Sequence, residues 1–240
     1  QTDLWTLGED WLLSADVLYN TLENTPYWYD QRCPTPVSTA PDGRGVYDCG
    51  EAPEAIVVGS FNGGESTLFA LSAKKEWDTK AGRFDLFASY THADVKDIGY
   101  GTSSTSTSNY SDFAAYDRQS PREGTSNFQV EHMLKIRVNW SKELIPGYET
   151  RVSLFATRRS GQPYSYTFSE NNNCVLDVGG GRCPRESRND DAGHLLYVPA
   201  GINDPLFSPA SFGDDAAAQQ AFIDYIDSSE LAQYRGGIAP

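Results

Sequence analysis

The chain has 240 residues, a formal charge of -14, 39% hydrophobic residues and 12% aromatic ones. So acidic a chain argues against a nucleic-acid partner, which wants a basic stripe along its phosphates, and no window reaches the roughly 18 apolar residues of a membrane helix. Neither fact bears on a membrane β-barrel, whose strands need only about 9–11 alternating residues each.

The first predicted strand covers about residues 11–20. Trp11, Leu13, Ala15, Val17 and Tyr19 share one face, and Leu12, Ser14, Asp16, Leu18 and Asn20 share the other; this period of two marks a strand. A proline-rich excursion over about 25–53 follows, holding Cys33, Cys49 and the run Tyr27-Trp28-Tyr29. Such a cluster serves either as a rim anchor or loop core, or as a stacking surface for a ligand. In the second case Tyr27 and Trp28 are the contacts.

A second strand is predicted over about 55–77, with a soft spot at Asn62-Gly63-Gly64, and a third over about 83–94 after the turn Asp78-Thr79-Lys80-Ala81-Gly82. Residues 96–127 form a second excursion, whose run of Ser and Thr from Gly101 to Asn109 cannot bury apolar area. The fourth and fifth strands, about 130–140 and 148–160, make a hairpin around Pro146-Gly147. Its oily face carries His132, Leu134, Ile136, Val138 and Trp140 against Tyr148, Val152, Leu154 and Ala156. Its other face carries Lys135, Arg137, Glu149 and Arg151.

Pro163-Tyr-Ser-Tyr-Thr-Phe168 continues the chain as an extended aromatic piece, with Tyr164 and Tyr166 as further candidate ligand contacts. A third excursion, about 169–240, holds Cys174 and Cys183. Within it Ala218, Phe222, Tyr225 and Ile226 recur at helical spacing behind Asp214-Asp215, and Ser228 or Ser229 is placed to cap a second short helix that ends at Gly236. Four cysteines in two local pairs, Cys33 with Cys49 and Cys174 with Cys183, predict disulfides in loops of an oxidising compartment rather than a zinc site, because neither pair has CxxC spacing.

Connections after the first, third and fifth strands are long; those after the second and fourth are short. Alternating long and short connections on an antiparallel up-and-down meander is the plan of an outer-membrane barrel, with short periplasmic turns and long outer loops. Trp77, Trp140 and Tyr148 flank the short turns, where an interfacial aromatic girdle belongs. Residues 1–54 hold ten acids and two bases, whereas 130–159 hold three and six, so acid gathers in the predicted loops. The predicted fold is all-β: a partial transmembrane β-barrel with long extracellular loops and a short helical tail.

The succession Ser-Leu-Phe-Ala-Thr-Arg-Arg-Ser-Gly-Gln-Pro-Tyr-Ser-Tyr (153–166), then Leu195-Leu-Tyr-Val-Pro199, then Ala221-Phe-Ile-Asp-Tyr-Ile226 resembles the later barrel portion of TonB-dependent outer-membrane receptors, the Oar-like group above all. Tyr90-Thr-His-Ala-Asp-Val-Lys-Asp97, Ser126-Asn-Phe-Gln-Val-Glu-His132 and Glu230-Leu-Ala-Gln-Tyr-Arg-Gly236 look like the same group, in the same order. The resemblance implies a bacterial outer-membrane transporter, in contact with lipid, that takes up a scarce solute with energy passed on by TonB through an N-terminal plug. Plug, TonB box and terminal aromatic strand have no counterpart here, and five or six strands fall short of the roughly eight that close a membrane barrel. The expectation is therefore an internal segment of a longer barrel.

An enzyme is not expected. GxSxG, HExxH and P-loop motifs are missing from the sequence, and His92, His132 and His194 are far apart along it. His132, on an oily strand face, suits an interfacial or packing role. No cofactor is expected, although the Asp- and Asn-rich loops could gather oxygens around Ca²⁺. The rival readings are a secreted soluble β-sandwich that binds carbohydrate through exposed aromatics, and a secreted hydrolase.

Overall fold

The computed structural model describes residues 10–50, 53–99, 101–111, 113–167, 194–207 and 212–239; Cys174 and Cys183 lie outside them. In chain order the elements are β1 (Trp11–Thr21), β2 (Thr25–Asp30), β3 (Ser38–Thr39), β4 (Gly45–Val46), β5 (Ile56–Phe61), β6 (Glu65–Thr79), β7 (Gly82–Asp97), α1 (Ser106–Ser111), β8 (Gly124–Thr125), β9 (His132–Ile145), β10 (Tyr148–Arg159), β11 (Tyr197–Val198), α2 (Ala216–Ser228), a 3-10 turn over Glu230–Tyr234, and β12 (Gly237–Ile238). The all-β antiparallel meander predicted from alternation is present: β1, β6, β7, β9 and β10 pair in that order, every pair antiparallel.

The chain divides into two compact units. The first comprises the segments up to 21, 65–96 and 125–163; the second comprises 22–64, 97–124 and 164–240, so far as these are described.

In the first unit the five long strands of the meander form an open sheet with β1 and β10 at its edges, and the two-residue β8 pairs with β7 as its sixth strand. Its register stacks side chains into rows across the strands. Trp77, Phe84, Trp140 and Val152 form one row at the short-turn end. Next come Trp11-Lys75-Leu86-Val138-Leu154, then Leu13-Ala73-Ala88-Ile136-Ala156, then Ala15-Leu71-Tyr90-Leu134-Arg158, and last Val17-Phe69-His92-His132. Beyond these the same face turns polar at the Thr67↔Asp94 pair.

Both short turns have local causes. Pro146 followed by Gly147 at φ +83° is the residue pair of a type II turn, whose third residue needs positive φ. That turn splays a two-residue hairpin, and the register shift between Tyr148 and Glu149 absorbs the misfit. At the other turn, Trp140 Nε1 donates to Ala81 O at 2.9 Å, and a Cβ on Gly82 would come within 2.6 Å of Ser141 O. Only glycine admits that approach.

Among the described residues, the buried hydrophobic residues lie almost entirely in the second unit. Leu196, Val198, Phe207, Ile223, Ile226 and Leu231 lie in one cluster, with Phe222 and Tyr234 packed against it. α2 and the 3-10 turn start where capping chemistry puts them: Asp215 accepts from Ala217 N and Ala218 N, and Ser229 Oγ accepts from Leu231 N. Cys33 and Cys49 are disulfide-bonded, closing the proline-rich excursion.

Two expectations need correction. The strand predicted over 55–77 is two strands, broken at Asn62-Gly63-Gly64. β5 pairs with β2 in a separate two-stranded sheet of the second unit, because Gly63 at φ +151° and Gly64 at φ +123° cannot continue a β ladder. The excursion over 25–53 is not a bare loop either: it contains β2, β3 and β4, so Tyr27-Trp28-Tyr29 belongs to a strand.

Candidate functional site

The first candidate surface is the sheet itself. Its polar face centres on Asp85, which accepts from Asn139 Nδ2 at 2.7 Å and faces Arg137 Nη2 at 3.4 Å and Lys74 Nζ at 3.9 Å. Glu76 pairs with Lys74 at 2.7 Å and with Arg83, and Glu149 pairs with Arg151 at 2.7 Å. Such a ladder of exposed, alternating charges adds little stability, since each exposed pair contributes about 0–1 kcal/mol. It does make a wet wall. The opposite face is oily and uncovered: Val17, Leu71, Val152 and Leu154 are all exposed, Leu154 at 68%. Of the sixteen buried hydrophobic residues among those described, Ala93 alone belongs to this unit. Among the described residues, this face of the sheet is left exposed rather than packed into a core.

The second candidate surface lies in the other unit. Tyr164 and Tyr166 sit edge to face with ring centroids 5.6 Å apart, and both hydroxyls donate to Glu230 Oε1, from Tyr166 at 2.9 Å. Tyr164 is 65% exposed, while Tyr166 leans against the buried cluster. The Tyr164 and Tyr166 hydroxyls hold the Glu230 carboxyl below its ordinary value. The bond to Glu230 pushes Tyr164 up, and the bonds with Tyr164 and Glu230 push Tyr166 up. Two aromatic rims beside an ionised acid can stack on a flat or ring-shaped solute and accept its hydroxyl or amide protons.

Of the four predicted contacts, the structure brings Tyr164 and Tyr166 together and separates them in role from the other two. Tyr27 is buried, 2% exposed, edge-on to Phe61 at 5.5 Å and Phe113 at 6.1 Å. It packs its unit, as the loop-core reading expects, and cannot meet a solute. Trp28 is half-buried over Gly101, where a Cβ would come within 2.1 Å of the ring. Glu230 was missed as a site residue because nothing in the tail motif signals that it lies beside residues 64 and 66 positions earlier in the chain.

The carboxylate at this site sets a pH dependence. Because its pKa is lowered in the folded chain, the stabilisation is fully present above the ordinary glutamate range and is lost as pH falls through the lowered folded value. Tyrosine near-ultraviolet dichroism should therefore change in an acid titration below about pH 4.5, and Glu230→Gln should flatten that change. An unaltered titration in the variant would remove Glu230 from the cluster.

Among the described residues, no three carboxylates converge in the way Ca²⁺ would require. The potential ligands that do converge are Asp30 with the disulfide pair Cys33 and Cys49, and His92 with Glu131 and His132. The second grouping corrects the expectation that the histidines are scattered: His92 and His132 are cross-strand partners of β7 and β9, their rings stacked 4.9 Å apart. Comparison with family models, with curated proteins and with solved structures finds no match to this chain.

Proposed function

We propose that the five long strands of the sheet are part of the wall of an outer-membrane β-barrel of the TonB-dependent receptor type, with their oily face against lipid and their charged face toward a water-filled lumen. The observation that carries this reading is the uncovered apolar face, bounded by aromatic rows at both ends. Trp77, Phe84, Trp140 and Tyr148 sit at the short-turn end, and Phe69 and Tyr90 with the histidines at the other. From Trp77 to Phe69 is eight residue steps, about 26 Å along a strand at ~3.3 Å each. At a tilt of ~40° that is a band roughly 20 Å tall, close to the ~25 Å of outer-membrane barrels.

In this reading the open β1 and β10 edges pair with further strands, because unpaired backbone groups cannot face hydrocarbon. The second unit receives the solute, with Tyr164, Tyr166 and Glu230 among its contacts. Uptake, powered through TonB and a plug, follows from the resemblance in sequence; the role is binding and passage rather than catalysis.

Reconstitution tests it. With a brominated-lipid quencher, the emission of Trp77 and Trp140 should be quenched in vesicles, and the chain should need detergent to remain monodisperse. A chain that is monodisperse in plain buffer, with no quenching by lipid, would instead favour the secreted sandwich.

A further inference from the structure

We propose that His92, His132 and Glu131 form a divalent transition-metal site, of the borderline-soft kind that zinc occupies, at the polar end of the long-stranded sheet. Antiparallel pairing of β7 with β9 sets His92 directly opposite His132, and their rings stack 4.9 Å apart at an interplanar angle of 28°. Glu131 precedes His132, and its carbonyl accepts from Ala93 N at 2.9 Å, so the ladder tethers it beside His92. The three ligand atoms lie within 4.8 Å of one another.

One His132 nitrogen faces Tyr90 and the other faces Glu131. Tyr90 Oη lies 2.8 Å from His132 Nδ1. His132 Nε2 lies 3.4 Å from Glu131 Oε1, and a bound metal would take the Nε2 lone pair while Nδ1–H donates to Tyr90 Oη. Tetrahedral zinc with bonds of about 2.0–2.2 Å holds neighbouring ligand atoms roughly 3.3–3.5 Å apart, so the His132–Glu131 edge already has the spacing of a coordination edge. His92 supplies the third ligand atom, within 4.8 Å of the other two. Its Nδ1 is buried with no hydrogen-bond partner, and a ring nitrogen in that condition is costly unless something occupies its lone pair. Tyr90 is the outer partner that orients a ligating imidazole.

Two imidazoles and one carboxylate form a three-ligand set that leaves a fourth position open, and imidazole with carboxylate favours zinc, copper or nickel over calcium or magnesium. His132 and Glu131 are half exposed, at 52% and 53% of their side-chain surface, so an ion reaches them from water. The proposal does not depend on the membrane reading: a soluble sheet with this register would carry the same site.

Zinc(II) titrated calorimetrically into the full chain, in the detergent or buffer that keeps it monodisperse, should bind at one ion per chain. Cobalt(II) at the same site should give the intense visible absorption of tetrahedral coordination. His92→Ala and His132→Ala should each weaken zinc by well over tenfold, and Tyr90→Phe by roughly tenfold through lost orientation of His132. Glu131→Gln is the variant that cannot be mistaken for unfolding, since the exposed side chain changes and the carbonyl bond to Ala93 stays; it too should cost roughly tenfold. No zinc binding by the parent chain, or affinities unchanged in Glu131→Gln and His92→Ala, overturns the site.

Discussion

With the oily face against lipid, as proposed, Ile136→Arg is expected to destabilise the chain by about 2–4 kcal/mol, while Thr157→Glu, one residue out of phase on the paired strand, leaves it within about 0.5 kcal/mol. Ile136 sits in the middle of the five rows of that face, between Ala88 on β7 and Ala156 on β10. At that depth an arginine cannot carry its guanidinium to either polar boundary without moving the strand. Thr157 lies on the charged face directly across from Lys135, so a carboxylate there meets a cation in water. The measurement is denaturant unfolding in phospholipid vesicles, or the fraction inserted after refolding into them. If Thr157→Glu proves the damaging change and Ile136→Arg the silent one, the oily face is the inside of a water-soluble core.

Asp117→Ala should unfold the second unit more severely than any single-residue trim of its surface, by roughly 3–5 kcal/mol. Asp117 is buried, and its carboxylate accepts Tyr47 Oη at 3.0 Å, Gly45 N at 3.2 Å, and Gln119 N and Ser120 N, each at 3.0 Å. It therefore joins β4 to a chain segment more than 70 positions later. Alanine strands four donors in a site closed to water. Gln119 compounds the effect, because its side chain bonds Asp30 N at 2.9 Å, Asp30 O at 3.0 Å and Cys33 O at 3.1 Å. Asp117→Asn keeps an acceptor for the turn amides and should cost about half as much. Amide exchange read by mass spectrometry should rise across residues 40–47 in the alanine variant, and protection equal to the parent's there would disprove the account.

The sheet was legible because its signal is local. An oily residue every second position announces a strand and both of its faces within ten residues, and Pro146-Gly147 announces a turn in two. Trp11 through Tyr19 and His132 through Trp140 were assigned to the faces they occupy with no knowledge of their partners. The caps at Asp215 and Ser229 were legible for the same reason, since a cap and its amides lie within three residues. The extent of the second strand was misjudged because Glu65–Thr79 and Ile56–Phe61 have similar alternation, and only pairing tells which sheet each joins.

Everything that depended on who meets whom came from tertiary structure. Tyr27 and Tyr164 have the same chemistry in sequence, yet one ring is closed in by Phe61 and Phe113 while the other stands in water. Glu230 reaches Tyr166 across 64 positions, and His132 reaches His92 across the long connection between β7 and β9, whose register no local pattern states. A strand shifted by two residues would preserve every oily face and every turn propensity, but it would carry His92 away from His132 by nearly 7 Å. The physical division is therefore one of range. Alternation, turn chemistry and capping are contests between neighbours and can be read along the chain. Register, burial and the meeting of distant polar groups are settled only when the strands lie side by side.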